Sequence, residues 1–177
     1  MSFFSRLLRP GADDRDPFRP VWYRIAELAR EPRWYAPTRA TRGVADTVAG
    51  RFDAITLVLC AVLLRMEQDP ALIEPSVRLT ELFVEDMDGQ LRESGVGDLM
   101  VGKHIGKLMS TLGGRLGALR DALAQADDAA LVDAIGRNVT LADTGDAAPV
   151  AALLRRFTVS LAALGADDIL AARISLP

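Results

Sequence analysis

The chain has 177 residues, a formal net charge of -3, 50% hydrophobic and 25% charged residues, and one cysteine. That length suggests one domain with a core able to fold unaided, and the composition excludes a disordered tail. The mild acidity argues against a general nucleic-acid binder, and a lone cysteine excludes an internal disulfide. Residues 1–51 hold ten arginines against six acids, about +4, which leaves about -7 for the remainder. Such an arginine-rich leading segment could touch anionic lipid, rRNA or an acidic partner. It also fits a chain that simply prefers arginine, since 19 of the 21 basic residues are Arg.

In chain order, residues 1–17 read as a flexible, loop-like segment broken by Pro10, Gly11 and Pro17, with no secretory apolar region. A helical domain is expected over 18–177. Phe18 to Arg30 reads as a helix stopped at Glu31-Pro32, and Trp34 to Gly43 as an irregular stretch. Arg51 to Glu67 reads as a helix apolar on nearly every side, the buried centre of a bundle, with Cys60 inside as a small hydrophobe rather than a nucleophile. Its apolar run, Ala54 to Leu64, is too short to span a bilayer, which needs about 20 residues.

Ser76 to Ser94 follows helical spacing, with Leu79, Leu82, Phe83, Met87 and Leu91 on one face. Gly95 and Gly97 stop it, and Asp98 is placed to cap a helix from Leu99 to Leu123. A short helix can start at Asp127-Asp128. Thr140 to Pro149 reads as a polar loop, Val150 to Leu164 as a helix, and Asp167 to Arg173 as a last turn. No strand periodicity is visible, so the fold class is all-α, a single-domain bundle of six or seven helices.

The segment EDMDGQLRESGVGDLMVGKHIGKLM, residues 85–109, holds both lysines and the only histidine. DMDGQ fails as an EF-hand loop, because counting from Asp86 puts Gly89 at the fourth position and Gly97 where the closing Glu belongs. His104 has no second histidine to help it hold zinc. GVGDLMVGK has neither Walker spacing nor a preceding strand, no nucleophile elbow is present, and pairs such as Glu85-Asp86 occur on any polar helix face. No metal, cofactor or catalytic residue is expected. Asp86 falls on the apolar stripe between Leu79, Leu82 and Phe83, which suggests an internal tie. Gly102, Gly106 and Gly113 lie along one edge of the next helix, at roughly 1 kcal/mol each relative to Ala. They suggest that the backbone of another helix, internal or external, comes close. Lys103 and Lys107 form a small basic strip.

FVEDMDGQLRESGVGDLMVGKHIGKLM resembles the signature of the ubiquinol–cytochrome c chaperone family, assembly factors of the cytochrome bc1 complex. VWYRIAELAREPRWYA and GVADTVAGRFDAITLVL resemble the family's two earlier blocks in the same order, so the likeness covers about residues 20–120 and weakens from about Ala124. It implies an all-α chaperone without catalytic activity, a bacterial member that helps cytochrome b or an early bc1 intermediate to mature. It would work in the cytoplasm or as a peripheral protein at the inner membrane, with the ribosome as a further contact and a monomer or weak homodimer as its state. A structural subunit of a respiratory complex is the alternative, and a small acid–base enzyme a more distant one.

Residue by residue, the resemblance points to partner contacts at Trp22, Tyr23, Tyr35, Arg51, Asp88, Arg92 and Lys103, and Arg24 of the arginine-rich stretch and Lys107 of the basic strip are expected to join them. It implies structural roles for Phe52, Asp53, Asp86, Gly95, Gly97 and Asp98. The sequence departs from the family at Ala45, where a proline is usual, in the linker 36–42, and in TLGGRLGAL, which keeps Gly114-Arg115 without the flanking aromatics.

Overall fold

A computed structural model describes residues 14–38, 41–93 and 98–177, the side chains of residues 91–105 excepted. Among the described residues the elements are α1 (Arg19–Ala29), α2 (Pro32–Tyr35), α3 (Val48–Met66), α4 (Ile73–Glu93), α5 (Asp98–Leu123), α6 (Ala129–Asn138), α7 (Ala147–Ala162) and α8 (Ala166–Leu170). Short 3-10 turns at Asp16–Phe18 and Pro70–Leu72 lead into α1 and α4. The expected all-α bundle is what forms, with no strand among the described residues.

α3 is the axis of the bundle because its sequence leaves it no polar face below its first turns. Ala54 and Thr56 to Leu63 are buried without interruption. α7, α1, α5 and α4 pack around it, and α6 fills the angle between α5 and α7. α3 starts three residues before its expected first residue because Thr47 caps it, its hydroxyl accepting the Gly50 N–H at 3.2 Å. Gly50 lies so close to the preceding segment that a Cβ there would meet the Ala45 carbonyl oxygen at 2.0 Å.

α2 replaces the expected irregular stretch. Pro32 at its start needs no N–H partner, and Glu31 before it is extended, as a residue preceding proline prefers. This single turn exists to bury Trp34, whose ring is fully covered and whose indole N–H donates to the Leu28 carbonyl at 2.9 Å. Covering an indole of roughly 150–250 Å² contributes on the order of 4–6 kcal/mol before entropy. Residues 42–45 then thread between α2 and the 140–146 loop. Val44 N–H donates to Trp34 O at 3.0 Å, Ala45 N–H to Thr140 O at 2.8 Å, and Asp146 N–H to Arg42 O at 2.8 Å. The 140–146 loop is therefore bonded into the fold by isolated bridges, Arg42 with Gly145 and Val44 with Leu141, while Ala147 to Pro149, expected as loop, open α7 behind the Asp146 cap.

Candidate binding groove

A groove of about 1170 Å³ opens between the α1–α2 corner, the first turns of α3, the C-terminal half of α4 and Leu108 of α5. Phe52, Ile55, Met87 and Leu108 supply its apolar wall, with Val48 and Ala49 at the mouth. Val48 is 88% exposed, an unusual position for an aliphatic side chain at the head of the most buried helix. The spacing Val48, Phe52, Ile55 is one helical face, which the α1–α2 corner leaves uncovered at this end.

Arg30, Tyr35, Asp46, Arg51 and Gln90 form the polar part of the lining. The Tyr35 hydroxyl donates to Ala29 O at 3.0 Å, and burial, then the charge of Asp46, pushes its ionisation upward. Arg51 Nε donates to Asp46 Oδ1 at 2.8 Å, and that hydrogen bond holds the guanidinium even more firmly protonated. Arg30 differs: it donates only a 3.3 Å bond to Ala26 O, and no carboxylate among the described residues pairs with it.

Beneath the groove, Phe52 is held from two sides. Its ring lies 6.3 Å from that of Phe83, which meets Trp22 edge-on at 5.9 Å. The Arg115 guanidinium sits 5.6 Å from the Phe52 centroid. Arg115 in turn donates to Asp53 and to the Thr56 hydroxyl, while Asp53 accepts the Thr140 N–H at 2.7 Å.

A second, smaller cleft of about 430 Å³ lies between α3, α5 and α7 and contains Arg65, Arg120 and Arg155. All three cations are committed to the fold. Arg65 caps α7 through Leu161 O and Leu164 O, Arg120 reaches both oxygens of Glu67 at 2.9 Å, and Arg155 ties the turn between α5 and α6 through Asp128 and Asp127 O.

The model of the family described as ubiquinol-cytochrome C chaperone matches residues 40–176. The chain belongs to that family. A crystal structure of the Cbp3 homolog from Brucella abortus is similar, with a TM-score of 0.78 and 29% identity over 99% of this chain and 97% of that one. No curated protein matches the chain. The family model runs well past Ala124, where the sequence likeness was expected to fade, so α6, α7 and α8 lie inside the matched region of this ubiquinol–cytochrome c chaperone.

The expected partner residues of this family member separate. Tyr35 and Arg51 line the groove. Tyr23 is 58% exposed on α1, Arg24 donates to Ile174 O at 2.7 Å, Asp88 is half-buried and Lys107 is exposed. Trp22 is corrected: at 3% exposed it belongs to the α1 core stripe with Val21 and Ile25, not to a contact surface. Arg92, Gly95, Gly97, His104 and Lys103 lie outside the described residues or side chains, as does the side chain of Asp98 at the head of α5.

Asp86 is also corrected. Met87 is buried as the stripe predicts, at 6% exposure, but Asp86 turns to solvent, where Gln90 Nε2 donates to it at 3.4 Å. A carboxylate on the stripe would have to shed its water without a partner, and the rotation of α4 avoids that cost. Among the described residues Gly106 and Gly113 on the glycine edge of α5 have no close neighbour either: a Cβ at each would meet nothing within 4 Å. Gly102 lies outside the described side chains. Cys60 is fully buried, and desolvation pushes its thiol up to about 12, which leaves no thiolate for nucleophilic work.

Arg30, Val48 and Ile55 line the groove without having stood out in the sequence. The available signal was the surplus of apolar residues on α3: a helix apolar all round, starting beside a proline corner, has one more apolar face than its neighbours can cover. Among the described residues no helix is long and apolar enough to cross a membrane, and no three His, Cys, Asp or Glu side chains converge as metal ligands.

Proposed function

We propose that the chain is a non-enzymatic holding chaperone that binds cytochrome b, or an early bc1 intermediate containing it, through the groove between α1, α3, α4 and α5. The family match supplies the context of bc1 assembly. The observation that carries the client-binding reading is the open apolar lining, with Val48 88% exposed. Contiguous apolar surface left open to water marks an interaction site, and an unfinished membrane protein offers apolar helices that need cover. Among the described lining residues the polar groups are the Asp46–Arg51 pair, Arg30, Tyr35 and Gln90, which can orient a peptide.

Co-purification from native membranes with mass spectrometry of the bound proteins tests this. Cytochrome b should accompany the wild-type chain and be reduced at least about tenfold with Val48→Asp, a change of about 1.4 kcal/mol or more in binding. Retention of the chain in finished bc1 complex, rather than release, would instead make it a subunit. A membrane or ribosome contact through the basic residues of α1 and Lys107 would show as salt-sensitive co-sedimentation that Val48→Asp leaves intact.

A further inference from the structure

Arg30 carries a consequence for what the groove accepts. We infer that the occupant is an apolar helical segment bearing a carboxylate near one end, and that Arg30 is the cation that pairs with it; this rests on the chaperone reading above. Three observations support that chemistry. The groove, at about 1170 Å³, exceeds the roughly 300–1,000 Å³ usual for small ligands and, among the described residues, is walled by five helices with one side open. That shape suits the apolar face of a helix, whose side chains at successive turns would meet Phe52, Ile55 and Met87.

The charges at the rim are unequal. Asp46 already holds Arg51, so that pair is neutral as it stands. Arg30 has only the 3.3 Å bond to Ala26 O and no carboxylate among the described residues. When an apolar segment covers the rim, water around Arg30 is displaced. A guanidinium left without a partner would then oppose binding. A carboxylate carried by the occupant removes that penalty and adds a charge-assisted bond, and a lysine or arginine at the same place is repelled. Arg65, Arg120 and Arg155 in the second cleft lack this property, because each is already satisfied by the fold. A lipid surface is the less suitable occupant, since anionic membranes are met by clusters of unpaired cations and the groove offers one.

The test uses the full chain and three fluorescein-labelled helical peptides of about 18 residues, five turns, built of Leu, Ala and Gln. They differ only in one first-turn residue: Glu, Gln or Lys. Fluorescence anisotropy should rank them Glu, then Gln, then Lys, with about tenfold or more between the extremes at low salt and less at high salt. Arg30→Gln should erase the difference, with the Gln peptide bound at least as tightly as by the wild type because no unpartnered guanidinium is then covered, and Arg30→Glu should invert the order. Arg30 is exposed, so thermal melting should show both variants folded. Equal affinities for the three peptides in the wild type, or an order that Arg30→Glu does not invert, overturns the inference, while loss of all binding in Val48→Asp would still uphold the groove. No peptide binding at all, or phosphatidylcholine–phosphatidylglycerol vesicles binding in the peptides' place, also overturns it, and the chaperone reading then rests on co-purification alone.

Discussion

Asp53 on α3 and Arg115 on α5 form a buried ion pair, Oδ1 to Nη2 at 2.5 Å, with side chains 6% and 12% exposed. The pair joins three parts of the chain, because the second oxygen of Asp53 accepts the Thr140 N–H and Arg115 also reaches Thr56 and the Phe52 ring. Removing one partner leaves the other charge buried. Arg115→Met and Asp53→Asn should each cost about 3–5 kcal/mol, and the double variant should cost clearly less than their sum. Urea unfolding of the four proteins reads this cycle. Strict additivity would mean the two side chains do not stabilise one another. Arg115→Met should also weaken client capture beyond its effect on stability, because Phe52 loses one of its two supports.

Asp86 and Lys107 are exposed, so Asp86→Ala and Lys107→Ala should each change stability by no more than about 0.5 kcal/mol. The same denaturation assay compares them with Asp53→Asn. A loss of about 2 kcal/mol or more in Asp86→Ala would restore it as a tie within the fold.

The glycines divide by their surroundings. Gly50→Ala drives a methyl into the Ala45 carbonyl and should cost about 1–3 kcal/mol, as overpacking does. Gly106→Ala and Gly113→Ala face open space on α5 and should each raise stability by up to about 1 kcal/mol. Melting temperatures give the sign. Destabilisation by Gly113→Ala would show that something does pack there.

Cys60 should not react with a thiol reagent at pH 8 in the native chain and should react at once in denaturant. The folded thiol stays neutral up to about 12, above its ordinary value of 9.0. Its contribution to stability is thus complete below about pH 9 and is lost as the pH climbs from there towards 12, by on the order of 1 kcal/mol per unit. Cys60→Ala should remove that part of the alkaline slope, seen in urea midpoints measured across the range.

Much of the architecture was legible because its signals are local. Apolar spacing marked α1, α3, α4, α5 and α7, and Pro32 and the glycines after α4 marked breaks. What escaped was set by tertiary contact. α2 is one turn held by the burial of Trp34, and the 42–45 segment is fixed by backbone bonds to residues about a hundred positions away. Asp86 was misplaced because a helical wheel sets it beside Leu79, Leu82 and Phe83 but cannot say where the buried stripe ends and solvent begins. Arg115 was visible beside Gly114, but its partner Asp53 is 62 residues distant and no periodicity joins them. The groove is the negative of the packing, an apolar face of α3 that no neighbour covers, and only three dimensions reveal what is left uncovered.

In the proposed complex the client lies against Val48 and its neighbours. A photo-crosslinking residue placed at position 48, with a second chain carrying it at Val159 beside the smaller cleft, tests this in native membranes followed by mass spectrometry. Both positions are exposed, at 88% and 67%, so accessibility does not decide the outcome. Client binding in the groove predicts cytochrome b crosslinked from position 48 and not from 159. Crosslinking from 159 alone, or equally from both, would contradict it.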